Sequence, residues 1–170
     1  MRYQCDKLRI LLKQYQDLML EDALEGCSND DLHKVELNLD ITLPDDFKEI
    51  SLLYSIDYLG GISNYQVVRD GNTLNLIDET LRIRNGIGLP HEYVFLAELD
   101  SSAILLNTVK QPHVIWVDSI AIGRLNQLES HEYDAWENYQ DYFEYLLQEE
   151  ISERNLDAGT NTILKHESGL

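Results

Sequence analysis

The chain is poor in cysteine, in basic residues and in long apolar runs. Its two cysteines, Cys5 and Cys27, form no Cys-x-x-Cys pair and have no metal-ligand spacing. Parity alone admits one disulfide between them. The start, Met1 to Lys7, leads into an apolar stretch that Arg9 and Lys13 interrupt. That is not an export signal, so reduced thiols and a cytoplasmic location are expected. No segment has the apolar length of a membrane-spanning helix. Thirteen Lys and Arg stand against 31 Asp and Glu, a formal charge of −18. Such a chain repels phosphate backbones and anionic membranes, which argues against direct nucleic-acid or membrane binding and favours a basic partner.

The motifs of common enzymes are missing as well. No GxxxxGK[ST] and no GxSxG occurs. Gly86-Ile87-Gly88-Leu89-Pro90 lacks the third glycine and the preceding strand of a dinucleotide site. The five histidines, His33, His91, His113, His131 and His166, are scattered. His131-Glu132 has no second histidine four residues on, so no zinc helix is expected. Asp30-Asp31 and Asp45-Asp46 stand at helix starts, where the helix dipole explains them without catalysis. No catalytic, cofactor-binding or metal-binding residues are expected, and the chain reads as a binding protein rather than an enzyme.

What is present is a domain-sized chain of 170 residues with 44% hydrophobic and 26% charged residues. These values fit one folded domain and exclude disorder for most of it. Leu8, Leu11, Leu12, Tyr15, Leu18 and Met19 make one apolar stripe on a helix from about Asp6 to Leu24, stopped at Gly26. Ser28 caps a short second helix through Leu32, Val35, Leu37 and Leu39. Leu43-Pro44-Asp45-Asp46 opens a third, with Pro44 at its first position and Phe47, Ile50, Leu53 and Tyr54 on its buried face. Gly60-Gly61 is expected to end it. Tyr65 to Val68 reads as a short strand before an Asp70-Gly71-Asn72 turn. Leu76 to Arg84 fits a helix closed by Gly86, and its end also fits a hairpin. Three strands follow, Tyr93 to Ala97, Ala103 to Leu106 and Val114 to Asp118, with a short fourth expected from Ala121 to Leu125. The last helix is expected from about Ser130 to Glu153. Residues 1–154 form the domain, the first helix taking 1–26, and 155–170 a flexible tail. Helices, then strands, then a helix indicate a single-domain α+β fold with a mixed, mainly antiparallel sheet.

Leu43-Pro44-Asp45-Asp46-Phe47-Lys48, an apolar helix and Gly60-Gly61 resemble the opening signature of the SUKH superfamily. The strand Tyr93 to Ala97, the pair through Leu105 and Trp116, and the helix carrying Tyr142-Phe143-Glu144-Tyr145-Leu146-Leu147 extend the likeness over roughly Ser28 to Glu150. Leu59 stands where the family often has Asn. Asp100-Ser101-Ser102 stands where it often has Gly in the turn. The resemblance implies a sheet packed with helices. It also implies a cytoplasmic immunity protein that binds and neutralises a cognate toxin domain, often a nuclease or deaminase. Other members of the superfamily are regulatory or scaffolding modules, which is the alternative. The charge agrees with the first role, because a toxin that grips nucleic acid has a basic cleft that an acidic inhibitor attracts and blocks.

One surface is the candidate for that partner. On a helical wheel Asp134, Glu137, Asp141 and Glu144 share an arc with Gln148, opposite Trp136, Tyr139, Phe143, Leu146 and Leu147. A solvated helix face accounts for such a carboxylate ladder by default. A docking surface for a basic toxin is the functional alternative. After Lys110 there are 12 acids and three bases, so half of the net charge falls in the last 60 residues. Four of the ten tyrosines lie between Tyr133 and Tyr145. Tyr142 and Tyr145 flank the apolar face, and Tyr145 is counted with the docking residues.

Overall fold

A computed structural model describes residues 2–19, 26–55, 58–68 and 75–167, with side chains described over 6–18, 26–55, 58–68 and 75–155. Three helices come first, α1 (Arg2–Met19), α2 (Asn29–Leu39) and α3 (Asp45–Leu53). A two-stranded hairpin follows, β1 (Tyr58–Leu59) and β2 (Ile62–Ser63), and then α4 (Leu76–Ile87). The main sheet holds β3 (Tyr93–Glu98), β4 (Ser102–Asn107), β5 (Val114–Asp118) and β6 (Tyr133–Trp136), all antiparallel and in that order. A 3-10 segment, Ser119–Gln127, joins β5 to β6, and α5 (Tyr139–Glu167) closes the chain. The protein is a single-domain α+β fold.

Both faces of the sheet are buried along β3 to β5, while β6 has no buried residue. Val94, Leu96, Ile104, Leu106 and Val114 pack with Leu8, Leu12, Phe47, Ile50, Phe143 and Leu147 of the helices. Tyr93, Phe95, Leu105, Ile115 and Val117 pack on the other side with Ala121, Ile122 and Leu125 of the 3-10 segment and Ile83 of α4. Two covered faces explain the near-continuous apolar runs of β3 to β5. The sheet's two edges differ. Along β3, the Phe95 N–H donates to the Thr80 hydroxyl (3.0 Å) and the Leu96 carbonyl accepts from the Tyr65 N–H (2.8 Å). Beyond β6 no further strand is added among the described residues.

Local signals work where they are chemical. Ser28 and Asp31 form a reciprocal capping box at the start of α2. The Arg84 guanidinium ties the end of α2 to the approach of β3, donating to the carbonyls of Leu39 (2.9 Å) and His91 (2.6 Å). Cys27 is a buried free thiol.

Several expectations need correction. Pro44 is the residue before α3 rather than its first residue, and α3 ends at Leu53, which is exposed. Gly60-Gly61 therefore does not stop that helix; it turns the β1–β2 hairpin, with φ of 58° and 75°. α4 runs through Gly86 and is closed by Gly88 in the left-handed region. Tyr65 to Val68 contributes one isolated bridge, Gln66 to Asn75, not a strand. The Asp70-Gly71-Asn72 turn and the residues from 20 to 25, where the first helix was expected to end, lie outside the described residues. Ala121 to Leu125 is 3-10 rather than strand, because its apolar residues at one, two and five cover the sheet face as a single helical stripe. The last helix does not start at Ser130. Tyr133–Trp136 pairs with β5 as β6, and Asn138 caps α5, its side chain accepting from the Asp141 N–H (2.9 Å). Past Asn155, α5 continues to Glu167.

The glycine pair has a tertiary cause. A Cβ at Gly60 would lie 2.9 Å from the Leu146 carbonyl oxygen of α5. The Gly60 N–H donates to the buried Glu150 carboxylate (2.9 Å), which Arg154 also engages (2.6 Å). At Gly61 nothing lies within 4 Å of such a Cβ. Gly61→Ala should therefore cost only the left-handed backbone penalty, about 1–2 kcal/mol. Gly60→Ala adds the clash with α5 and should cost more, about 3 kcal/mol, read as a shift in the urea midpoint. Equal losses at the two positions would refute the close-approach account.

Candidate protein-docking surface

The four carboxylates expected on one helix face are divided between two places. Asp134 lies on β6 and Glu137 in the turn after it, both exposed. Asp141 and Glu144 lie on α5, Glu144 buried and Asp141 half-buried. The period-three spacing of Tyr133, Trp136, Tyr139 and Tyr142 carries a helical pattern across a strand, a turn and a helix start, so the wheel extended too far.

Asp141 and Glu144 belong to an internal junction. Glu144 is buried and forms an ion pair with Lys7 of α1. Gln140 donates its side chain to Glu144 (3.1 Å), and its backbone N–H to Asp46 of α3 (3.0 Å). Asp141 accepts from the Asn138 amide (2.8 Å). Lys7, Gln140, Glu144 and Asp46 tie three helices together, and the buried Glu144 is not available to a partner.

Asp134 faces outward. It stands opposite Trp116 in register, and the Trp116 indole N–H donates to Ser102 (2.7 Å). Trp136, two residues on, packs its ring against Tyr142 (centroids 5.1 Å) and Tyr145 (5.3 Å). Burial pushes the Tyr145 hydroxyl up from the ordinary tyrosine value, and the charges of Glu149 and Asp134 push it further. So the structure does bring Asp134 and Tyr145 together, and it adds Glu149. Among the described residues Asp134, Glu137 and Glu149 have no ion-pair partner. Tyr142 is not at the fringe; it is fully buried, with its hydroxyl reaching Asn64 (3.4 Å).

Glu149 and Trp136 were not singled out as docking residues. Glu149 lies four residues after Tyr145, one helical turn, and so shares its side of α5. The Asn138-Glu137-Trp136 region hid behind the false helix. The signal that corrects it is Asn138 with Asp141 three residues later, a helix start.

Elsewhere, a groove of about 720 Å3 lies at one end of the sheet between Asp40, Thr42, His91, Glu92 and Lys110. It mixes both charges and holds His91 4.0 Å from Asp40. Among the described residues no group of three or more His, Cys, Asp or Glu is placed to hold a metal ion. No helix among them is long and apolar enough to cross a membrane.

A SUKH family model described as SMI1-KNR4 cell-wall matches residues 8–148. The match begins at the first buried leucine of α1 and ends within α5. No match was found among curated proteins.

The junction makes a prediction about Asp141. Its carboxyl lies above the usual aspartate range, first because of burial and then because of the Glu144 charge. A carboxyl whose folded pKa exceeds its unfolded one binds its proton more tightly when folded. It therefore costs stability above that pKa, and the cost disappears as pH falls through it. Titration of side-chain carboxyl shifts by NMR should place Asp141 above the ordinary aspartate value and move it down in Glu144→Gln. An Asp141 that titrates normally in both forms would refute the coupling.

Proposed function

The chain belongs to the SUKH superfamily, and from that premise we propose that it is an immunity protein that binds a cognate toxin domain and neutralises it. The partner is a basic domain, a nuclease or other nucleic-acid-directed toxin, and the chain acts in the cytoplasm by covering the toxin's cleft. It makes and breaks no bond. The observation that carries this reading is the exposed surface around Asp134, Glu137 and Glu149, whose carboxylates are free while those of Asp141 and Glu144 are engaged inside the domain. Free carboxylates at close spacing repel one another, and a cationic partner relieves that repulsion. Tyr145 and Trp136 beside them supply rigid aromatic area, the type of residue that anchors interfaces. The total charge of −18 supports steering of a basic partner toward this chain.

A second reading has one observation in its favour. The description of the matched family names the cell wall. A regulatory or scaffolding module with an endogenous, nontoxic partner fits that description and uses the same surface.

The two readings separate by the partner. The chain, used as bait in its own host's lysate, should retain a basic domain whose toxicity coexpression relieves. Retention of a nontoxic protein alone would replace the first reading with the second. Exposed charges are screened beyond about 8 Å at physiological salt. Association with the toxin should therefore slow at least about tenfold from low to high salt. The triple variant Asp134→Asn, Glu137→Gln, Glu149→Gln should slow it similarly with an unchanged urea midpoint. Glu144→Gln should lower the midpoint instead. A salt-independent rate, or a triple variant that associates normally, would remove electrostatic steering from the mechanism.

A further inference from the structure

Among the described residues no strand pairs with the outer edge of β6, and its phase can be read from the neighbouring ladder. Just before β5, alternation breaks at His113, whose carbonyl accepts from the Asn107 N–H (2.7 Å) while its N–H donates to the Glu137 carbonyl (3.1 Å). Past the end of β4, however, the Thr108 N–H turns to the Glu92 carbonyl (2.9 Å), which sets even residues of β4 toward β3 and odd ones toward β5. At the opposite end of the β4–β5 pair the Ser119 N–H donates to the Ser101 carbonyl (2.9 Å). Main-chain groups alternate sides along an antiparallel strand. Odd-numbered residues of β5 thus face β4, and Val114 and Trp116 face β6. Their partners in register are Trp136 and Asp134. This phase leaves the N–H and C=O groups of Tyr133 and Ala135 pointing away from β5, on the side where no further strand is added among the described residues. Ala135 is exposed. On the opposite edge of the same sheet, along β3, the Phe95 N–H and the Leu96 carbonyl are taken by Thr80 and Tyr65.

We infer that β6 is the docking edge for a basic partner, which adds an extended segment to it as a fifth strand. The inference rests on the reading of the chain as a binder of a basic protein. Strand addition uses main-chain bonds for affinity and alternate side chains for selection. On the α5 side of β6 an added strand meets Asp134 and Trp136, with Glu137 just past the strand end. The charges of Glu149 and Asp134 both act on the Tyr145 hydroxyl. Lys or Arg at alternate positions of the incoming strand would answer those carboxylates, and their methylene stems would lie on the aromatic rings. A second copy of this chain does not fit the edge. Edge-to-edge pairing would set one Asp134 near the other, between molecules that each carry −18. The acidic edge thus repels its own kind and admits a cationic strand.

The test follows amide hydrogen exchange in the full chain with an alternating Lys–Val hexapeptide, and with an alternating Glu–Val hexapeptide as control. At a peptide concentration of about ten times its Kd, exchange at Tyr133 and Ala135 should slow about tenfold. The Glu–Val peptide should leave both amides unchanged. Ala135→Pro removes an outward N–H without touching the ladder to β5, as proline is tolerated on edges. It should abolish protection at Tyr133, and Asp134→Lys should do the same while keeping every backbone group. No slowing at millimolar Lys–Val peptide, or equal slowing by both peptides, would overturn the assignment. The broader reading is judged separately. If Ala135→Pro still neutralises the toxin with unchanged affinity, the edge falls and the immunity reading stands. If the peptide docks at β6 but no toxin is retained from the host, the edge stands and the immunity reading falls.

Discussion

A four-stranded sheet that is apolar on both faces along β3 to β5 dictates where everything else in this domain can go. Covering one face takes α1, α3 and α5; covering the other takes the 3-10 segment and the end of α4. Those cannot reach the sheet without bringing their own polar groups into close quarters. Among the described residues these groups are answered, except the Arg84 Nε, which is buried without a hydrogen-bond partner. Glu144 meets Lys7, Glu150 meets Gly60 and Arg154, and Arg84 spends its guanidinium on the carbonyls that end α2 and precede β3. The buried carboxylates are thus fasteners between elements, and an unanswered ionised group in these places would be strongly destabilising.

The surplus of acid is what remains after that fastening. A chain with 31 acids and 13 bases cannot pair them all, and the position of the unpaired ones carries more information than their number. On α5 the acids nearest the helix start are consumed by packing. The free ones stand on β6, the following turn and one turn further along α5. Membership in the SUKH superfamily sets the architecture that presents this surface. It leaves the identity of the partner to the side chains.

Elements whose signals are local could be read from the sequence. The Ser28 cap, the Leu43-Pro44 helix start and the apolar strands β3 to β5 all follow from chemistry within a few residues. What failed depended on distant residues. Gly60 looked like a helix stop because nothing near it reveals that the backbone of α5 passes against it. β6 was absorbed into the helix because aromatic residues recur every third position through Tyr133, Trp136, Tyr139 and Tyr142, and a strand of four residues is too short to break that rhythm. The candidate site suffered accordingly. Asp134, Glu137 and Tyr145 were legible as surface chemistry, Glu144 is buried and Asp141 half-buried at the helix junction, and Glu149 became visible only once α5 was placed.

The unequal edges of the sheet bear on assembly. A sheet open on both sides can propagate, each added strand offering a new edge to the next molecule, which is the geometry of filaments. Here the β3 side is stoppered by Thr80 and Tyr65. Among the described residues, growth of this sheet by strand pairing is therefore directed to the β6 side. Within the main sheet, a strand that pairs with β6 finds no equally open edge on the β3 side to extend the array.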